Sequence, residues 1–155
     1  MAIVKKLKQH PPLPPSRYEV GIYCRVSTAS KTQVVSVGHQ LSGLIADVAN
    51  SYQARLYDVY LDVQSGRTSD NRKNLMRLLD DCRAGRVTLV YTKSISRFAR
   101  NTVDVLTIVR ELKMMNVPVY FENEQLYSFD KEAELAISLH GAIAQGESEN
   151  KSENI

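Results

Sequence analysis

Residues 18–30 read YEVGIYCRVSTAS. The first nine mix β-branched and aromatic side chains, which suit a pleated, packed surface, and the run then breaks into small polar residues. It reads as a strand that ends in a loop at Ser27, with Arg25 two residues before the serine. Outward from it, ARLYDVYL (54–61), VTLVYT (87–92) and VPVYF (117–121) read as further strands. The segments between carry helical spacing. Val37, Leu41, Leu44, Ile45 and Val48 share one face, as do Leu75, Leu78, Leu79 and Cys82, then Val105, Leu106, Val109 and Leu112. Strands alternating with amphipathic helices favour parallel pairing through right-handed crossovers. The expected fold class is α/β, an open, mainly parallel four- to five-stranded sheet flanked by helices. Sites in such sheets lie at the carboxyl ends of strands. Ser27, the loop DVQSGRTSDNR (62–72) and KSISRFARN (93–101) all emerge there.

At 155 residues the chain has the length of one domain, enough to bury about two-thirds of its unfolded surface around one core. No apolar run approaches the roughly 20 residues of a membrane span. The amino terminus, MAIVKKLKQHPPLPPSR, has no sustained apolar core or small-residue cleavage site, so it does not read as a secretory signal. Pro11, Pro12, Pro14 and Pro15 deny it a helix, and residues 1–17 read as a basic, proline-rich, flexible arm. Cys24 and Cys82 sit in apolar segments without C-x-x-C spacing, as free thiols of a reducing cytoplasm do. A last helix is expected over DKEAELAISLHGAIAQGESE (130–149), with Leu135, Leu139, Ala142 and Ile143 as its apolar positions. The sequence stops soon after in NKSENI, with no capping signal, as a fragment of a longer protein would.

The formal charge of +3 conceals an asymmetry: residues 1–120 hold 18 Lys and Arg against 9 Asp and Glu, whereas 121–155 hold 2 against 8. The basic part is a candidate surface for a polyanion. Taken alone, Ser27 is turn or helix-capping chemistry. The G-x-S-x-G elbow fails, because Arg25 and Ala29 occupy the glycine positions. His10, His39 and His140 offer no obvious base, and a cysteine-phosphatase loop fails because Ser30 stands where its arginine belongs. No phosphate-binding glycine loop and no zinc-type His/Cys spacing is present. Arginine must therefore carry any phosphate chemistry, through a permanent charge and a fork that fits phosphate oxygens. Arg25 ends the first strand, and Arg97 and Arg100 lie three apart, on one face if a helical turn begins there. These residues leave open an enzyme acting on phosphate esters and a non-catalytic α/β module that binds nucleic acid or protein.

Five ordered motifs narrow the choice. YCRVST at the first strand, SVGHQ opening the first helix, LDVQSGRTSDNR after the second strand, KSISRFARN after the third and AIAQGESENKSEN at the end resemble the catalytic domain of serine site-specific recombinases, the resolvase and invertase family. The phrasing KSISRFARN and ESENKSEN is closer to the large branch, which contains phage integrases and transposon excisionases, than to the small resolvases.

The resemblance implies that Ser27 attacks a DNA phosphodiester, leaving a 5′-phosphoserine link and a free 3′-hydroxyl, with no metal and no cofactor. It assigns Arg25, Arg97 and Arg100 to the scissile phosphate. Gln40, Asp62, Ser65 and Arg72 match supporting positions, and Tyr23 matches a residue beside the phosphate pocket. Many small resolvases carry an aspartate where this chain has Ser96, which removes a proton carrier and leaves Asp62 or a phosphate-bound arginine as substitutes. The implied organisation is a catalytic domain over 18–147 and the start of a long interdomain helix at 148–155. The implied partners are double-stranded DNA, further copies of the chain as dimer and synaptic tetramer, and a factor that sets direction, with no membrane. The implied location is the cytoplasm of a bacterium, the protein being encoded by a phage or other mobile element. Integration, excision and inversion are all compatible with these residues.

Overall fold

The computed structural model describes residues 17–27, 31–64 and 72–153. Along them run β1 (Tyr18–Ser27), α1 (Lys31–Ala49), β2 (Ala54–Gln64), α2 (Lys73–Arg83), β3 (Leu89–Thr92), α3 (Ile95–Phe98), α4 (Thr102–Met114), β4 (Val119–Phe121), β5 (Leu126–Tyr127) and α5 (Ala133–Glu153). The five strands form one sheet in the order β2-β1-β3-β4-β5. β1, β2, β3 and β4 are parallel, and β5 returns antiparallel along β4. The four expected strands are all present. β2 runs three residues further than its apolar pattern, and β5, at two residues, is too short to leave a pattern.

Both faces of the sheet are covered, which is why β1 reads as a nearly continuous apolar run rather than an alternating one. On one face Val20, Ile22, Leu89, Tyr91 and Tyr120 pack against Leu44 and Val48 of α1. On the other, Tyr23, Tyr60, Val90 and Phe121 meet Leu75 and Leu78 of α2, Val105, Val109 and Leu112 of α4 and Ile137 of α5. Gly21 allows the second packing: a Cβ there would stand 2.8 Å from Leu78 Cδ1 and 3.1 Å from the Tyr60 ring and Val87. Cys24 and Cys82 are both buried free thiols. Burial pushes the Cys24 thiol up, and burial with the neighbouring Asp81 charge pushes Cys82 up to about 12, so neither is a ready nucleophile.

Two helical faces differ from the pattern. Ile45 lies at the margin of the α1 contact and is exposed, while Val37, Leu44 and Val48 are buried. On α5 the residues turned inward are Ala133 and Ile137, and Leu135, Leu139, Ala142 and Ile143 face outward. The reason is the line of contact: Ala133, Ile137 and Gly141 recur every fourth position, Ile137 enters the core, and Gly141 lies close against Thr102 at the start of α4. Residues 1–16 of the expected arm lie outside the described part. Among the described residues no helix is long and apolar enough to cross a membrane.

The strand order fixes where a site can form. From β1 the chain moves outward to β2, then returns past β1 to build β3, β4 and β5 on the other side. The connections from β1 to β2 and from β3 to β4 therefore lead in opposite directions along the sheet, and the crevice at the carboxyl ends of β1 and β3 is the natural binding place of an open parallel sheet.

Candidate active site

Arg25 and the turn after β3 meet at that crevice. Thr92 ends β3 opposite Tyr23, and its hydroxyl donates to the Tyr23 carbonyl at 3.0 Å, which pins β3 beside the end of β1. The next residues form α3, whose Ser96 carbonyl accepts from Arg25 Nη2 at 3.4 Å. Arg25 Nη1 donates to Gln64 Oε1 at 3.0 Å, and Gln64 pairs in register with Ser27 at the end of β1. Arg25, Val26, Gln64, Ser96 and Arg97 line a cleft of about 290 Å³. Two arginines thus line one cleft near the end of β1 at Ser27. The Ser27 side chain, Thr28 to Ser30, and Ser65 with the rest of its loop lie outside the described residues.

Tyr23 stands behind this cleft rather than at its edge. Its ring is fully buried, edge-on to Phe98 at 5.8 Å, and its hydroxyl donates to Asp62 Oδ2 at 2.9 Å. Burial first, then the Asp62 bond and charge, hold the phenol far above its ordinary pKa against the pull of Arg72 and Arg25, so it stays a neutral donor. Asp62 is itself buried, and it also accepts Asn74 N–H at 2.9 Å and Leu75 N–H at 3.0 Å. Its two oxygens therefore serve three donors and tie the start of α2 to β1 and β2. That arrangement answers the cost of burying a carboxylate, and it argues against Asp62 as a mobile proton carrier.

Arg72, at the start of α2, forms a hydrogen-bonded ion pair with Asp104 in the first turn of α4, its side chain only 10% exposed. Asp104 is held in turn, its N–H donating to the α4 cap Asn101 at 2.9 Å. Gln40 on α1 is half-buried, and its amide oxygen is buried without a hydrogen-bond partner among the described residues.

The expectation that Arg97 and Arg100 share a helical face does not hold. α3 ends at Phe98, and Ala99 is extended at φ −151°, so the chain straightens between the two arginines. Arg97 lines the cleft with Arg25. Arg100 is exposed and lines a neighbouring cleft of about 580 Å³ between α3, α4 and α5, and Ser96 borders both. The Ser96 hydroxyl shares a 3.1 Å hydrogen bond with Ser94 and brings no charge to the turn.

Two acidic residues at the site carried no motif. Asp104 follows Asn101 at capping spacing, a signal that marks a helix start and not a role. Glu124, between β4 and β5, contacts the α3 backbone across 29 residues of sequence, and nothing local announces it.

The family model described as resolvase, N terminal domain, matches residues 20–155. The R46 site-specific recombinase of Escherichia coli is 28% identical over 125 residues, covering 81% of this chain and 60% of that protein. The chain thus spans about three-fifths of that relative's length. Among solved structures, a resolvase family site-specific recombinase from Streptococcus pneumoniae is 28% identical, with a TM-score of 0.65 over 89% of this chain and 93% of that one. The N-terminal catalytic domain of TP901-1 integrase, at 20% identity and a TM-score of 0.60, covers 86% of this chain and 98% of its own, and shares the fold.

Proposed function

Because this chain belongs to the resolvase family, we propose that it is the catalytic domain of a site-specific DNA recombinase that cuts and rejoins duplex DNA through Ser27. The observation that carries the reading is the convergence of Arg25 and Arg97 on one cleft where β1 ends at Ser27. In the cleavage step a bond forms between Ser27 Oγ and the scissile phosphorus, and the bond from phosphorus to the 3′-oxygen breaks. One proton passes overall from the serine to the departing 3′-hydroxyl. The phosphodiester becomes a 5′-phosphoserine ester of similar energy, so attack by a 3′-hydroxyl of an exchanged strand reseals the DNA without an energy source. Arg25 and Arg97 stabilise the extra negative charge of the pentacovalent transition state, and Arg100 holds the phosphate from the side of the neighbouring cleft. Tyr23, Asp62 and Arg72 support the pocket from behind, while Gln40 offers a buried amide oxygen and Ser65 completes the set from the loop after β2.

Double-stranded DNA is the proposed substrate, bound by the basic part of the chain. Further copies of the chain are the proposed partners, in a dimer and a synaptic tetramer. Leu135, Leu139 and Ile143, exposed along α5, give an apolar face for that association. A factor that sets direction would act on the assembled complex, in the cytoplasm of a bacterial host. The proposed catalytic domain covers residues 18–147, and α5 runs unbroken through its end to Glu153 as the start of an interdomain helix. Trapping on a suicide duplex tests the reading. The full-length protein is expected to form a covalent adduct that Ser27→Ala abolishes, and an adduct that survives in Ser27→Ala would move the nucleophile elsewhere.

A further inference from the structure

α3 is one turn of helix between two residues in extended backbone, Ser94 at φ −159° and Ala99 at φ −151°. A lone turn does not hold its own shape, because fixing its dihedrals costs more than its first hydrogen bond contributes. Tertiary contacts must hold it. Ile95 and Phe98 are buried, and Phe98 lies edge-on to both Tyr23 and Phe121. Ser94 Oγ accepts Arg97 N–H at 3.3 Å. A further bond comes from far along the chain: the two carboxylate oxygens of Glu124 accept Ile95 N–H at 3.2 and 3.4 Å. The same β4–β5 turn grips the residues just before α3. Glu122 N–H donates to the Thr92 carbonyl at 3.0 Å, Asn123 N–H to the Lys93 carbonyl at 2.8 Å, and Lys93 Nζ to Glu122 at 2.9 Å.

We infer that Glu124 is a positioning residue for the strand-cleavage reaction, fixing α3 and thereby the placement of Arg97 and the Ser96 carbonyl against Arg25. The inference rests on the proposed function for the reaction and on this geometry for the contact. Residues 93–101 contain no acidic side chain of their own, with Ser96 in the middle of the turn. The carboxylate that orders the arginine turn is therefore supplied by another loop, through the backbone rather than through a guanidinium. Small misplacements of charged groups around a reacting phosphate cost rate more than binding, since the transition state is more sensitive to geometry than the ground state.

The test compares Glu124→Ala and Glu124→Gln in the full-length protein. Three quantities are measured: the rate of adduct formation on a suicide duplex, DNA affinity in a Ser27→Ala background, and amide hydrogen exchange over 93–100 without DNA. Glu124→Ala is expected to slow adduct formation by about 10-fold or more without a matching loss of affinity, and to speed exchange at Ile95. Glu124→Gln keeps a carbonyl acceptor and is expected to recover most of the rate. A Glu124→Ala protein with unchanged rate overturns the inference, as does one whose affinity falls in step with its rate. Should the wild-type protein form no adduct, the proposed function fails, and exchange at Ile95 alone decides: faster in Glu124→Ala upholds the clamp, unchanged rejects it.

Discussion

In the proposed reaction the geometry of the Arg97 guanidinium matters as much as its charge. A lysine would restore the charge but not the planar fork that can take two phosphate oxygens at once. Arg97→Lys is expected to lower the adduct-formation rate by about 10²–10³, the cost of one preorganised donor, measured in single turnover with DNA in excess. Tyr23 makes the opposite kind of contribution, to stability. Tyr23→Phe leaves buried Asp62 short of one of its three donors, and is expected to cost about 1–3 kcal/mol in urea denaturation. These roles were unequally legible. Arg25 and Arg97 could be placed from sequence because one lies near the carboxyl end of β1 and the other just after β3, strands whose ends the topology brings to the crevice. Tyr23 and Asp62 could be found but not assigned, since a tyrosine beside a pocket and a tyrosine beneath it look the same in a motif. Glu124 could not be found, because its bond to Ile95 spans 29 residues.

At the scale of elements, period decided what could be read. The faces of α2 and of much of α1 and α4 follow from apolar spacing, because each covers a broad stretch of sheet. α5 does not, because it packs along the line of Ala133, Ile137 and Gly141 and leaves Leu135, Leu139 and Ile143 outside. Gly141 is the tightest point of that line, where an added Cβ would stand 2.8 Å from Thr102 Cβ. Gly141→Ala is expected to destabilise the protein by about 1–3 kcal/mol through forced separation of α5 from α4. Gly43→Ala, in α1 with nothing within 4 Å of the new methyl, is expected to be neutral or stabilising by up to about 1 kcal/mol. Thermal unfolding of the two variants side by side separates crowding from helix propensity. The three-residue spacing of Arg97 and Arg100 would give a shared face only inside a continuous helix, and α3 stops after one turn.

Across the whole molecule, a five-stranded sheet with its switch between β1 and β3 brings two distant segments to one crevice, and the excess of basic residues up to position 120 accords with the proposed DNA substrate. The central claim is that Ser27 forms the bond to phosphorus. Trypsin cuts after Arg25 and Lys31, so the expected adduct peptide is VSTASK (26–31), which holds Ser27, Thr28 and Ser30. The most direct measurement is mass spectrometry of that peptide from the full-length protein trapped on a suicide duplex. The account predicts a nucleotide remnant joined through a 5′-phosphate to Ser27 and absent from Thr28 and Ser30. A remnant on Thr28, on Ser30 or on any other peptide would contradict it.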